Sequence, residues 1–263
     1  MTARTPRAAR PRPYVDRAVG VGGAVQPVAI RIALWVSVQL LVAGIVVLGG
    51  GAATSQPINA AAGWWMVYAG LIDVATLGVI IWLIRRDGVS YRSLLGPPAA
   101  AWQVALGALG VLAATVPAVV FGIEINEAFY GNATLPMFAV VDVPAWASFF
   151  SVLVAPVLAE LAEPVLYLGV VLPRLERRIG RPWIAATIVV LVWAGEHAFF
   201  PLLIRDGSLD LVFAGYRVVS VLPFLASWTA LYYALGRRLL PIMAARWIFN
   251  GGSALALAVG LTG

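Results

Sequence analysis

The sequence has no cysteine and no lysine, and His197 is its only histidine. Without cysteine there is no disulfide framework and no thiolate nucleophile. Charge is scarce as well: 11% of the 263 residues are charged, against 62% hydrophobic, and the mean hydropathy is +0.92. A soluble domain of this length does not hold so much apolar matter, because too little polar surface would remain to face water. The bilayer is the fitting solvent, with spans of about 20 apolar residues each. Backbone groups in a bilayer must bond within their own helix, which makes a helical bundle the default. The alternating ten-residue segments of a membrane β-barrel are missing.

What charge there is follows a pattern. All 18 basic residues are arginine and the net charge is +6. They sit between apolar runs, as topology signals do, so no nucleic-acid partner is expected. Apolar runs fall at about 30–52, 62–84, 99–121, 145–173, 183–204, 211–235 and 239–261. The fold expected is an all-α integral membrane protein with about seven transmembrane helices. Residues 1–27, with Arg4, Arg7, Arg10, Arg12 and Arg17 among Pro, Ala and Gly, read as a disordered basic tail. No signal peptide is expected there. Residues 28–143 read as N-terminal transmembrane helices and 144–263 as the core that holds the site. The tail and the connections with Arg85, Arg86 and Arg92, with Arg174, Arg177, Arg178 and Arg181, and with Arg237 and Arg238 alternate with uncharged, acidic or near-neutral ones. If arginine-rich connections stay in the cytoplasm, the N-terminus is cytoplasmic and the C-terminus outside, in the cell membrane.

Ionisable groups inside spans usually face the bundle interior or a wet cavity. They are Asp73, Glu160, Glu163, Glu196, His197 and Arg246, with Arg217 near an edge and Asn250 as a neutral companion. The first three spans are read as contributing only Asp73, so the site is expected among helices four, five and seven. Glu160, Glu163 and Tyr167 lie at i, i+3 and i+7, on one helical face. Trp193 and His197 are four apart, as are Arg246 and Asn250. Together they offer a carboxylate base, an imidazole and hydrogen-bond donors, which suffice to add water to a carbonyl. Structural roles are open for each: Glu160 at a helix interface, Glu163 paired with His197, Arg246 neutralising Glu163, Asn250 bonding between helices. Glu196 points about 100° from His197 and is read as lying outside the cluster. Asp73 stands alone and is assigned no role.

These motifs carry a resemblance. Residues 145–255 resemble the CPBP family of intramembrane proteases, also called Abi or type II CAAX-prenyl-endopeptidase-like proteins. The family's EExxxR motif, followed by Gly, falls on Glu163, Pro164, Val165, Leu166, Tyr167, Leu168 and Gly169. Its aromatic-xxx-His motif falls on Trp193 and His197, and its HxxxN motif on Arg246 and Asn250. Three positions depart from the pattern: Pro164 replaces the second Glu, Leu168 the Arg, and Arg246 the His.

The resemblance implies an intramembrane endopeptidase. Glu163 and His197 would activate water, and Asn250 with Arg246 would hold the oxyanion, supported by Glu160, Tyr167 and Trp193. The substrate would be a peptide or membrane-protein segment, a prenylated C-terminus among the candidates, and membrane lipid the surrounding partner. The departures raise an alternative. An arginine beside Glu163 would make it a poorer base, and the chain would then be an impaired pseudoprotease that binds or scaffolds membrane proteins. A Glu163–Arg246 contact under about 4 Å, with no room for water, would favour that alternative. Pro164 removes the N–H that would bond the Glu160 carbonyl and is expected to bend span four and open a wet pocket. No cofactor is expected. A catalytic zinc takes three protein ligands, and one histidine with Glu160, Glu163 and Glu196 suits a metal-free hydrolysis better. One mismatch remains: at 1.5 Å per residue, His197 lies about 24 Å from Arg181, and Glu163 about 16 Å from Arg174. Tilt or a late start of span five would have to close that gap.

Overall fold

The computed structural model describes residues 22–51, 61, 63–131, 144–199, 204–205 and 208–258. Most of the stretch read as a basic tail lies outside these residues, but from Gly22 the chain is already helical. Eight helices carry the architecture of the described residues: α1 (Gly22–Val46), α2 (Trp65–Arg86), the short α3 (Tyr91–Leu94), α4 (Ala101–Tyr130), α5 (Ala145–Ile179), α6 (Pro182–Glu196), α7 (Leu211–Ala234) and α8 (Leu240–Ala258). A two-residue antiparallel pair, Ile204–Arg205 with Ser208–Leu209, precedes α7. The chain is an all-α integral membrane protein. Six helices are long and apolar enough to cross a bilayer. The seventh apolar run forms α8, which is helical but not among those six.

The helices are apolar on nearly every side. Leu109, Val116 and Val120 of α4 and Leu191 of α6 face outward, as contact with lipid tails requires. The inner sides of α2, α4, α5, α6, α7 and α8 meet in one core that includes Ile80, Val111, Leu166, Leu168, Val189, Leu225 and Ile242. Small residues allow close approach: a Cβ at Gly70 of α2 would come within 2.7 Å of the Phe150 ring of α5.

α5 is irregular. It widens into π-turns at Phe150–Val154 and again at Val165–Val171. The second starts directly after Pro164, which cannot supply a helical N–H. Ladder bonds shift around that point. The Val165 N–H turns to the Ala162 carbonyl, while the Leu161 carbonyl accepts a 2.6 Å hydrogen bond from the Tyr91 hydroxyl of α3.

α5 and α6 form a hairpin about Gly180, which adopts φ 70° as glycine can. The helix of span four does not stop at Arg174 but continues to Ile179. Counted from Gly180, Glu163 and His197 each lie seventeen residues away, so the unequal counts came from ending span four at Arg174.

Candidate functional site

Two guanidiniums organise the polar interior. Arg246, on α8, donates from Nε to Glu160 Oε2 at 2.8 Å and from Nη2 to Glu163 Oε2 at 2.5 Å. Both carboxylates come from α5, where the i, i+3 spacing points them at one partner. Their other oxygens are engaged too. Asn250 Nδ2 donates to Glu160 Oε1 at 2.8 Å and Trp193 Nε1 to Glu163 Oε1 at 2.5 Å. The guanidinium lies over the rings of Trp228 and Trp193, 4.4 and 5.2 Å from their centroids, a cation–π arrangement that strengthens away from water. Glu160, Glu163 and Arg246 are all buried. The carboxylate oxygens on this bent helix thus accept from Arg246, Asn250 and Trp193.

The second guanidinium lies outside the residues that the sequence motifs single out. Arg31, on α1, donates from Nε to Glu196 Oε1 at 2.6 Å and from Nη1 to Asp73 Oδ1 at 2.7 Å and Thr76 Oγ1 at 3.0 Å. Trp35 Nε1 donates to the same Glu196 oxygen at 2.9 Å, and the Tyr167 hydroxyl donates to Glu196 Oε2. Glu196, read as outside the Glu163 cluster, is fully buried in this second group. The 100° between neighbours on a helix turns it from His197 toward α1, and a charge awaits it there. Asp73 likewise has a partner and a role. The first three spans contribute more than Asp73, since α1 adds Arg31 and Trp35. A signal existed in the sequence: Arg31, Trp35 and Gln39 recur at i, i+4 and i+8, a polar stripe on one face of α1. Gln39 continues it, donating to the carbonyls of Trp35 and Phe199 at 2.9 and 2.5 Å.

The two groups touch through aromatic rings. Tyr167 stacks on Trp193 with centroids 4.8 Å apart and planes 12° from parallel. Tyr167 serves Glu196 and Trp193 serves Glu163, so a rigid pair joins the carboxylates. His197 opens a short 3₁₀ turn after α6. Its Nδ1 lies 2.9 Å from the Trp193 carbonyl. A carbonyl only accepts, so Nδ1 is the donor in this contact.

All seven residues selected from the sequence thus lie in or beside one buried polar region. Glu160, Glu163, Trp193, Arg246 and Asn250 are directly bonded to one another, Tyr167 stacks against them, and His197 flanks them. No group of three His, Cys, Asp or Glu residues that could hold a metal ion occurs among the described residues. The Arg246 guanidinium bridges Glu160 and Glu163, where a cation would need their oxygens. As placed, these donors do not compose a zinc site.

Fold and site define a polytopic helical membrane protein with a carboxylate-rich polar centre. Residues 144–252 match the family model described as type II CAAX prenyl endopeptidase Rce1-like. The match covers the segment on which the motifs of Glu163, His197 and Asn250 fall, and it agrees with the resemblance they carry. No curated protein and no solved structure matches the chain.

Proposed function

We propose that this is a membrane-embedded binding or scaffold protein built on the core of a CAAX-type prenyl endopeptidase, with its hydrolytic centre closed by Arg246. The observation that supports this reading is the 2.5 Å contact of Arg246 with Glu163, made while the same guanidinium binds Glu160. A general base must offer a free lone pair to water. Here the carboxylate that would take that role accepts from a guanidinium and an indole at once. Asn250, which would steady an oxyanion, is engaged with Glu160. In this reading the polar centre holds α5, α6 and α8 in register, no cofactor takes part, and the partner is a peptide or membrane-protein segment met within the bilayer. The arginine-rich end faces the cytoplasm, in the cell membrane.

A second reading has one observation in its favour. Glu163 and His197 each stand seventeen residues from the Gly180 turn on neighbouring helices, and a carboxylate with an imidazole is what a water-activating pair requires. In that reading Arg246 swings from Glu163 when a peptide enters, and the chain is an intramembrane endopeptidase.

The test is a cleavage assay on the full chain in lipid vesicles, with a pool of membrane-anchored and prenylated peptides, run beside Glu163→Gln. The scaffold reading expects no cleavage from either protein, with thermal unfolding showing both folded. Cleavage by the native chain that disappears in Glu163→Gln would establish the protease instead.

A further inference from the structure

Three connections meet at the end of the molecule where α2, α5 and α7 finish, and side chains tie them together. Arg174 donates from Nη2 to Asp87 Oδ2 at 2.8 Å and from Nη1 to the Gly23 carbonyl at 3.1 Å. Arg237 grips Glu176 with two bonds, Nη1 to Oε2 at 2.7 Å and Nη2 to Oε1 at 3.0 Å, and the Tyr233 hydroxyl adds a third at 2.6 Å. Arg237 holds φ 65°, uncommon for a residue with a side chain. The Leu239 N–H bonds the Leu95 carbonyl at 3.0 Å. Gly96, at φ 89°, lets the Arg237 carbonyl pass where a Cβ would stand 2.2 Å from it.

The consequence is electrostatic. Asp87 and Glu176 are the acids of these connections, and both are turned inward onto Arg174 and Arg237. Arg85, Arg86, Arg92, Arg177, Arg178 and Arg181 are all exposed on the same end. Trp82, Trp102 and Trp183 stand exposed beside them, and Arg86 lies 5.6 Å over the Trp82 ring. At the far end of α4 the exposed charges are acidic, Glu124 and Glu127. One end therefore presents a fixed cationic platform whose own acids are consumed, rimmed by the amphipathic rings that settle at headgroup depth.

We propose that this platform binds the phosphodiester groups of anionic phospholipids, so that the protein gathers a shell of acidic lipid around its arginine-rich end. Lipid is the fitting occupant because the arginines flank the ends of membrane-crossing helices, where headgroup phosphates are already present. Arginine forks bind phosphate through paired N–H groups. The inference stands independently of whether the polar centre hydrolyses anything.

The experiment uses the full chain purified in neutral detergent. Phosphatidylglycerol and phosphatidylcholine of identical acyl chains are titrated in, and bound lipid is counted by native mass spectrometry. Phosphatidylglycerol is expected to be retained at least about fivefold more strongly, the factor that a single interfacial arginine supplies. The preference should fall by about fivefold or more in Arg178→Gln/Arg181→Gln and in Arg85→Gln/Arg86→Gln. It should be unchanged in Glu124→Gln/Glu127→Gln, with thermal unfolding showing all variants folded. Raised salt should erode it. Equal retention of the two lipids overturns the proposal, and so does a preference that survives both arginine pairs. A single-stranded oligonucleotide that displaces the phosphatidylglycerol would also overturn it, since the platform would then be a receptor for soluble polyanions.

Discussion

Arg246 binds two carboxylates that come from one helix, three residues apart. Arg31 binds two that come from different helices, 42 and 165 residues away in the chain. Both arrangements hold a guanidinium and two acids in the bundle interior, and both engage aromatic donors. They differ in what they join. The Arg246 group closes the segment 144–252 upon itself, since Glu160, Glu163, Trp193, Arg246 and Asn250 all fall within it. The Arg31 group joins that segment to α1 and α2, which lie outside it. The segment with the family likeness thus does not complete its own polar interior: Glu196 depends on an arginine from the first helix.

That comparison predicts which changes do most harm. Arg246→Leu and Arg31→Leu each leave two buried carboxylates without their cation, and each should cost about 3–5 kcal/mol of stability, measured by thermal unfolding in bicelles. If Arg246→Leu is as damaging as expected and Arg31→Leu is tolerated, α1 is an accessory helix and the symmetry between the two groups fails. Equal losses would make the N-terminal helices an obligate part of the fold.

Tyr167→Phe sharpens the same question. It keeps the ring stacked on Trp193 but removes the hydroxyl that Glu196 accepts from. A buried acceptor left short of a donor costs about 1–3 kcal/mol. Paired with Trp193→Phe in a double-mutant cycle, it also measures how far the stacked rings couple the two groups. Residues in contact show coupling of about 0.5–3 kcal/mol. A value near zero would mean that the two charged groups act separately despite touching.

The same contrast explains what the sequence made legible. Glu160, Glu163 and Tyr167 share a face by helical period alone, and so do the pairs Trp193 with His197 and Arg246 with Asn250, so the partners on α5, α6 and α8 could be read. Each of the seven apolar runs carries a helix, but six of them, not seven, are long and apolar enough to cross a bilayer. Arg31 was hidden because a single arginine two positions into an apolar run looks like a flank charge. Its burial is decided by Asp73 and Glu196, which are remote in the chain. The partners of Glu196 were hidden for a related reason: helical geometry turns it from His197, but does not say what stands there. The depth mismatch arose from ending span four at its first arginine. Arg174 is in fact buried against Asp87 and Gly23, and the turn comes only at Gly180.

The smallest effect belongs to a residue outside both groups. Tyr91 lies in α3, before the family-like segment, and its hydroxyl serves the Leu161 carbonyl, between Glu160 and Glu163 in the chain. Burial pushes that hydroxyl up to about 12, so it remains a donor throughout the neutral range. The need for it arises at Pro164, because the Val165 N–H has turned to Ala162 and no longer serves Leu161. Tyr91→Phe removes a single neutral hydrogen bond at a part-buried place and should cost about 1 kcal/mol. Its readout is local: amide exchange should quicken at the π-turn of Val165–Val171 and stay unchanged in α7. If exchange quickens equally in both, Tyr91 supports the bundle in general. If it quickens only in α5, the N-terminal half reaches the carboxylate helix by a second route, through its backbone, beside the charged route through Arg31.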